Sequence, residues 1–538
     1  ADSQTKTVTI KVIKKYLNSA TQIGVDIDGE AAGDQSGYSV SFNEDATIMA
    51  IGAKTNDGMG GDSGHVRVYQ FSNDSWSQLG SDIDGEASTN YSGHSVSLSS
   101  DGKTVAIGAP YNSDNGTHSG HVRVYQLKND SWTQLGLDIN GEASYNYSGQ
   151  SISLSSDGTT LAIGSPYNDD NGSNSGHVRV YNYYLGFWIQ LGLDINGEVS
   201  SDYSGWSVSL SSDGTTLAVG APYNDGNESD SGHVRIYNYN GTSWSQLGED
   251  IDGEAANDQS GYSVSLSSDG TTLAIGANKN DGNGNDSGHV RIYNYDGTAW
   301  SQLGSDIDGE AANDESGYSV SLSSDGNIVA SGGYYNDGNG TDSGHVRVYN
   351  YDGTTWSQLS SDIDGEIGDD QSGHSVSLSS DGTTLAIGAI FNDGNGNQSG
   401  HVRIYNLIKL TNNLPIASNV SAATLQNNDA NIHLVASDLD FDDLTYSIVS
   451  EPSNGTASLS GDTVTYTPNT NFTGNDTFTY KANDGEVDSQ TKTVTIKVIK
   501  KHLSRATQIG GDINGEASGD ESGYSVSFNE DATIMAIG

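Results

Sequence analysis

The sequence consists largely of one segment repeated at a fixed spacing. Two strings, Asp-Ile-Asp/Asn-Gly-Glu and Gly-His-Val-Arg, each recur every 56 residues without an insertion. The first string starts at Asp26, Asp82, Asp138, Asp194, Asp250, Asp306 and Asp362. The second starts at Gly64, Gly120, Gly176, Gly232, Gly288, Gly344 and Gly400. Such a period indicates a repeat architecture, in which each unit buries its apolar face against its neighbours.

Each unit predicts four short strands. Tyr262–Ser268 alternates apolar and polar residues, and the following Asp-Gly predicts a two-residue hairpin turn. Thr271–Ala277 is almost continuously apolar and should be covered on both faces, whereas Gly288–Tyr295 alternates again and Ala299–Gly304 supplies the fourth strand. Because four antiparallel strands recur in seven units, we predict an all-β fold containing a seven-bladed β-propeller.

The last unit lacks its own fourth strand. Six units carry a tryptophan there: Trp76, Trp132, Trp188, Trp244, Trp300 and Trp356. After Arg403 no such strand follows, but Ala20–Glu30 aligns with the fourth-strand region of the other units. We therefore predict a propeller over residues 16–410 whose seventh blade is completed by residues 20–24.

Composition narrows the classes of partner. The chain has 22 Lys and Arg against 70 Asp and Glu, giving a net charge of −48, and it has no cysteine. This charge argues against binding to nucleic acid or anionic membranes and fits solubility in salt water or binding of divalent cations. No apolar run reaches the ~20 residues of a membrane span, so membrane insertion is not expected. Cysteine-based metal or nucleophile chemistry is excluded.

Residues 411–500 have a different pattern. Alternating segments such as "TVTYTP" and "DTFTYKAND", separated by turn residues, predict a β-sandwich. The fold class is thus a propeller followed by a sandwich, in tandem array.

A long duplication supports the array. Ala1–Gly52 aligns without gaps with Val487–Gly538 and differs from it at only eight positions. We interpret residues 1–15 as the last strand of a preceding sandwich and residues 501–538 as the start of a following propeller. The alternative is that this strand inserts into a neighbouring subunit. In both cases the expected partner is the protein itself, in an extended fibre.

The repeat "SGYSVSLSSDGTTLAIGAPYND…SGHVRVY" resembles the FG-GAP repeat of integrin α-subunit propellers. The stretches "SDLDFDDLTYSIVSEPSNGT" and "YTPNTNFTGNDTFTYKANDG" resemble cadherin-like and bacterial immunoglobulin-like modules. Together they resemble giant prokaryotic surface adhesins, which implies an extracellular protein at the cell surface of a prokaryote. The integrin-type calcium loop between the first two strands is not implied, because only "SSDG" stands there.

Seven of the eight arginines lie in Gly-His-Val-Arg. A charged group that is repeated at every blade is more typical of a structural role than of a catalytic one. We therefore predict arginine–carboxylate pairs that connect neighbouring blades. The partners should be the carboxylates of Asp-Ile-Asp-Gly-Glu. The arginines are Arg67, Arg123, Arg179, Arg235, Arg291, Arg347 and Arg403.

Calcium is the cofactor that the sequence suggests, at two kinds of position. Oxygen-bearing side chains alternate in the loops before Gly-His-Val-Arg, although Asn, Asp and Gly are also ordinary turn residues. These candidates are Asp225, Asn227, Asp230, Asp281, Asn283, Asp286, Asp337, Asn339 and Asp342. The resemblance to cadherin-like modules implies a second set: Asp438, Asp440, Asp442 and Asp443.

No catalytic constellation is apparent, and we predict a non-enzymatic, structural and adhesive unit. The alternative is a lectin-like propeller that binds glycans between blades, at positions such as Trp300, Tyr293 and Asp306. Glycans or other cell surfaces are then further partners. The repeats scarcely depart from one another except at "YYLGFW" (183–188), Trp206 and "GGYY" (332–335).

Overall fold

The computed structural model describes residues 16–408, 414–438, 444–485, 487–501, 511, 517–519, 525–528 and 534–537. They form an all-β structure without a helix, in two compact units that divide after Lys409. This confirms the predicted fold class. The strand predicted within residues 1–15 lies outside the described residues.

The first unit contains seven five-stranded sheets within residues 16–408. Each sheet has four antiparallel strands in order. A two-residue linking strand pairs with the third strand, on the same side as the fourth. The first strands are Ser36–Phe42, Ser95–Leu98, Ser151–Leu154, Ser207–Leu210, Ser263–Leu266, Ser319–Leu322 and Ser372–Leu378. The second are Ile48–Ala53, Thr104–Ala109, Thr160–Ser165, Thr216–Ala221, Thr272–Ala277, Ile328–Gly333 and Thr384–Ala389.

The third strands begin at the histidine of Gly-His-Val-Arg. They are His65–Ser72, His121–Lys128, His177–Tyr184, His233–Tyr239, His289–Tyr295, His345–Tyr351 and His401–Ile408. The fourth are Ser75–Gln78, Ser131–Gln134, Phe187–Gln190, Trp244–Gln246, Trp300–Gln302, Trp356–Gln358 and, in the last blade, Tyr16–Gln22. The linking strands are Ile83–Asp84, Ile139–Asn140, Ile195–Asn196, Ile251–Asp252, Ile307–Asp308, Ile363–Asp364 and Ile27–Asp28.

The core of this unit lies between blades. The second strands are buried at all or nearly all positions, as their apolar runs predict. One cluster joins Val290 and Ile292 of one blade to Leu322 and Val329 of the next. Burial of apolar area stabilises the folded state by roughly 25 cal/mol per Å². Because these apolar faces lie between two blades, their burial stabilises both blades and holds them together.

The seven blades close into a ring. At each junction a first-strand serine donates a hydrogen bond to a glycine carbonyl of the next blade, as in Ser263 Oγ to Gly317 O at 2.7 Å. Ser375 Oγ makes the same bond to Gly37 O, also at 2.7 Å, and so connects the last blade to the first.

Tyr16–Gln22 completes the last blade by pairing antiparallel with His401–Ile408. The pairing begins earlier than residues 20–24, with Tyr16 opposite Ile408 and an irregularity before Thr21. Ile23 N continues the contact by donating to Ile404 O at 2.7 Å.

The Asp-Gly turns are longer than the sequence predicts. Ser267 N donates to Thr272 O, so the loop comprises residues 268–271 rather than two residues. The Asp269 carboxylate accepts bonds from Ser267 Oγ and Thr271 N, and Gly270 adopts φ +70°. Side-chain bonds of this type let Asp shape a larger turn.

The second unit contains a sandwich of two sheets over residues 414–501. Four strands in spatial order form one sheet: Val420–Leu425, Lys492–Ile499, Gly474–Asn483 and Thr445–Ser450. The facing sheet comprises Ala430–His433, Thr463–Pro468 and Gly455–Ser460, and a small bridge pairs Ile416–Ala417 with Ala436–Ser437. Val420–Leu425 runs parallel to Lys492–Ile499. Tyr466, Phe478, Tyr480 and Ile496 fill the core.

The end of the chain forms a short hairpin in the duplicated segment. Val526–Phe528 pairs with Met535–Ile537, with Val526 opposite Ile537. The first copy pairs in the same register, with Val40 opposite Ile51.

Candidate functional site: the blade junctions and the axial cavity

Each Gly-His-Val-Arg arginine contacts the preceding repeat's Asp-Ile-Asp/Asn-Gly-Glu segment. Arg291 Nη2 donates to Asp252 O at 2.8 Å, and its Nη1 lies 3.5 Å from Glu254 Oε1. The hydrogen bond therefore goes to a backbone carbonyl, and the carboxylate adds a longer ion pair. The guanidinium also lies 5.6 Å from the Tyr293 ring centroid, within the range of a cation–π contact.

The other six arginines make the same backbone bond across their junctions. Their acceptors are Asp28 O for Arg67, Asp84 O for Arg123, Asn140 O for Arg179, Asn196 O for Arg235, Asp308 O for Arg347 and Asp364 O for Arg403. Because the linking strand belongs to the preceding blade, these contacts connect neighbouring blades.

A buried histidine lies beside each arginine. His121 Nδ1 lies 3.8 Å from Glu86 Oε2, while Glu86 Oε1 lies 3.6 Å from Arg123. Burial and then the Arg123 charge lower the pKa of His121 to about 4, which keeps the imidazole neutral near pH 7. Burial and the nearby carboxylates of Asp138 and Asp114 raise the pKa of Glu86, although Arg123 opposes them.

The first Asp of the Asp-Ile-Asp/Asn-Gly-Glu segment is oriented by a glutamine. Gln22 Nε2 donates to Asp26 Oδ1 at 2.6 Å, which leaves Oδ2 3.9 Å from His401 Nδ1. Equivalent glutamine–aspartate bonds occur in the other repeats, for example at Gln78 and Asp82.

The loop residues proposed for calcium take part in turn hydrogen bonds. Asp281 Oδ1 accepts a bond from Asp286 N at 2.8 Å, and Asn283 Nδ2 donates to Gly309 O at 2.9 Å. Asp225 with Asp230, Asn227, Asp337 with Asp342, and Asn339 repeat these contacts in their loops. Calcium binding at these loops stays a prediction. In the sandwich, Asp440, Asp442 and Asp443 lie outside the described residues, and Asp438 is the one member that the structure places, next to Ala436–Ser437.

Open pockets between blades contain four of the fourth-strand tryptophans. One has a volume of ≈ 440 Å³ and is lined by Trp300, Tyr293, Asp250 and Asp252. Trp300 Nε1 donates to Leu247 O at 2.9 Å, which fixes the indole against the preceding repeat. Of the three residues proposed for glycan binding, Trp300 and Tyr293 share this pocket. Asp306 lines the equivalent pocket beside Trp356 and Tyr349.

The repeats differ most from one another around an axial cavity of ≈ 530 Å³. Its wall includes, from six repeats, the residue just before the Ser-Val-Ser or Ser-Ile-Ser of the first strand: Tyr38, His94, Gln150, Trp206, Tyr262 and Tyr318. The seventh repeat has His374 at this position. Tyr38 stacks against His94 and His374 at centroid distances of 4.9 and 4.6 Å, and Lys54 Nζ lies 3.5 Å from the Tyr38 ring centroid.

The sequence pattern does not predict this cavity, although Trp206 and "GGYY" (332–335) depart from the repeat. Tyr334 packs against Tyr318 with ring centroids 4.0 Å apart, and Glu315 pairs with Lys279 and accepts from Asn278 Nδ2 at 3.0 Å. The sequence signal for the cavity is that the position occupied by Tyr38, His94 and Gln150 varies among otherwise similar repeats.

Comparisons with known proteins agree with this architecture. A profile of the FG-GAP repeat matches residues 140–181, 196–237 and 251–293, and a profile of the bacterial Ig domain matches residues 412–497. Comparison with curated proteins found no match.

Three solved structures show a weak similarity to the chain. A putative 6-phosphogluconolactonase from Bacteroides uniformis has a TM-score of 0.45 at 11% identity, covering 62% of this chain and 86% of that one. The β-propeller domain of the Trilobed protease from Pyrococcus furiosus has a TM-score of 0.39 at 13% identity, covering 65% and 87%. AofleA from Arthrobotrys oligospora has a TM-score of 0.37 at 10% identity, covering 65% and 91%.

Among the described residues, no helix is long and apolar enough to cross a membrane. The two profile matches fall on the propeller repeats and on the sandwich, which are the parts of the sequence that carried the resemblance. This chain therefore combines FG-GAP repeats with a bacterial Ig domain.

Proposed function

We propose that the chain is a non-enzymatic repeating unit of a long extracellular fibre or stalk on a prokaryotic cell surface, with a structural and adhesive role. FG-GAP repeats and bacterial Ig domains fit a surface or adhesin-type protein. The duplication carries the proposal further. Ala1–Gly52 and Val487–Gly538 are nearly identical, so the sequence of the last sandwich strand, Lys492–Ile499, also stands before the propeller strand Tyr16–Gln22.

The geometry of the propeller supports this role. Its junctions repeat the same arginine and serine contacts around the ring, which suits a stiff module more than a single reaction centre. Acidic residues outnumber basic ones 70 to 22, and such a charge keeps neighbouring modules soluble and separated by repulsion.

The mass of the native polypeptide under full denaturation tests the proposal. A tandem array predicts a single covalent chain many times heavier than 56.3 kDa, detected with an antibody against this segment. Removal of the antigen by protease treatment of intact cells would place it outside the cell. A native polypeptide near 56.3 kDa would instead indicate separate subunits joined through the duplicated strand. An antigen protected in intact cells would contradict the proposal.

A lectin-like function is the second candidate, favoured by the equivalent tryptophan pockets. Four of them range from ≈ 260 to ≈ 520 Å³ and combine an indole face with carboxylates. Aromatic faces and carboxylates suit the apolar face and hydroxyl groups of a sugar ring. On a glycan array the lectin hypothesis predicts binding that saturates at several equivalents and is lost stepwise on Trp300→Ala and Trp244→Ala. An array without binding would exclude it for the glycans displayed.

A further inference from the structure

At one blade junction, the buried His177 faces carboxylates without making a hydrogen bond. His177 is 0% exposed, and neither of its ring nitrogens has a hydrogen-bond partner among the described residues. Its Nδ1 lies 3.7 Å from Asp170 Oδ2, too far for a bond but near enough to share a ligand. A buried nitrogen without a hydrogen-bond partner destabilises the folded state, so the arrangement calls for a partner.

The carboxylates themselves are crowded. Glu142, Asp170 and Asp194 each bring one oxygen to His177, and all four ligand atoms lie within 4.8 Å of one another. Arg179, whose Nη1 lies 3.5 Å from Glu142 Oε1, offsets one negative charge. Three carboxylates against one guanidinium leave the cluster negative, which favours a cation at its centre.

The same grouping recurs around the ring. A second four-residue set contains Glu86, Asp114, His121 and Asp138. Three-residue sets include Asp26, Glu366 and His401; Glu30, His65 and Asp82; and Glu198, His233 and Asp250. In each set the glutamate comes from the repeat before the one that supplies the histidine, so the cluster spans a junction.

We propose that these junctions bind divalent transition-metal ions of the Zn²⁺ type, held by the histidine Nδ1 and the converging carboxylates. Imidazole is a preferred ligand of zinc, whereas Ca²⁺ is held by oxygen atoms. Tetrahedral zinc would set neighbouring ligand atoms roughly 3.4 Å apart. The observed 3.7 Å between His177 and Asp170 needs only a small closure.

The surroundings of the ligands fit this role. Gln22 holds Oδ1 of Asp26 and so turns Oδ2 toward His401. Arg123 similarly holds one oxygen of Glu86 and leaves the other toward His121. The first contact is a hydrogen bond and the second an ion pair, and outer contacts of this kind orient ligands in metal centres.

Two junctions should bind most tightly. Asp114 and Asp170 add a fourth ligand where the other five repeats have Gly58, Gly226, Gly282, Gly338 and Gly394. A further site joins Asp26, before the first blade, to His401 in the last blade. A metal ion bound there would stabilise the closed ring.

The test is a titration of the chelator-stripped 538-residue chain with ZnCl₂, and separately with CaCl₂, by calorimetry. We expect several zinc equivalents per chain, including two sites tighter than the rest, together with a zinc-dependent rise in Tm. The double variant D114G/D170G should weaken the two tight sites at least tenfold and leave the others. It installs the residue that five repeats already carry, so the blades should keep their fold.

His433→Gln is the matched control, because His433 is exposed in the sandwich and also lies beside a carboxylate, 3.8 Å from Asp462. It should change neither stoichiometry nor affinity. H121Q/H177Q should abolish the two tight sites. Absence of zinc binding, or equal zinc affinity in the wild type and D114G/D170G, would overturn the proposal. So would a calcium affinity that equals or exceeds that for zinc at these sites.

Discussion

At the scale of single residues, the junction arginines show how a buried charge can serve architecture. Arg291 is 5% exposed, and its guanidinium contacts a carbonyl, a glutamate and a tyrosine ring. From the sequence we predicted which segment Arg291 contacts, but we expected its hydrogen bond to go to a carboxylate and not to the Asp252 backbone carbonyl. The choice between a side chain and a carbonyl depends on how the linking strand approaches, and a one-dimensional pattern does not contain that information.

Arg291→Met tests this contact. Loss of a charge-assisted bond to Asp252 O should lower the free energy of unfolding by about 1.5–3 kcal/mol, measured by urea denaturation. Lys103→Ala is the control, since Lys103 pairs with Asp101 on the exposed surface. Such pairs contribute about 0–1 kcal/mol, so an equal effect of the two substitutions would contradict our assignment.

The axial histidines predict a dependence of stability on pH. Burial, and then the Lys54 charge, lower the pKa of His374 from 6.5 to about 3. The unfolded chain therefore binds a proton before the folded chain does. Stability contributed by neutral His374 is complete above pH 6.5 and falls as the pH drops from 6.5 toward 3.

His374→Gln should reduce that loss, because glutamine does not titrate and Gln150 occupies the same position in another repeat. The measurement is the urea midpoint at intervals from pH 7 to pH 4 for both proteins. Parallel curves would show that His374 does not contribute.

At the scale of strands, second-strand glycines allow neighbouring blades to approach. A Cβ on Gly276 would lie 2.0 Å from Gly317 O of the next blade. Gly276→Ala should therefore lower the free energy of unfolding by about 1–3 kcal/mol or more. Gly61→Ala, where a Cβ would meet nothing within 4 Å, should change it little. Equal urea midpoints for the two variants would argue against close packing at this junction.

Strand positions followed from the sequence, but turn lengths did not. Alternation and apolar runs marked the strands because side chains in a strand point to opposite faces with a period of two. The Asp-Gly pair also suggested a tight turn, yet Asp269 uses its carboxylate to hold a four-residue loop. Those side-chain bonds compete with the shorter turn, and propensity alone does not rank the two.

At the scale of the whole molecule, the N-terminal strand completes the ring. Without Tyr16–Gln22, the third strand His401–Ile408 would present an unpaired edge, which favours association with other chains. A chain lacking residues 1–22 should therefore melt at a lower temperature and associate as its concentration rises, observed by calorimetry and light scattering. A chain that ends at Lys501 is the control and should keep a complete ring. Identical melting and light scattering of the two truncations would contradict the closure.

The duplicated segment separates what the sequence determines from what the tertiary structure decides. Val40–Phe42 and Val526–Phe528 pair with their partner strands in the same register, because identical local sequence specifies the same hairpin. Phe42 is 8% exposed, whereas Phe528 is 60% exposed. The sequence by itself determined the strands, the seven-fold repeat and the sandwich, since these depend on local periodicity. Only the packing of blades decided which residues are buried, because burial, the junction clusters and the axial cavity arise where distant repeats meet.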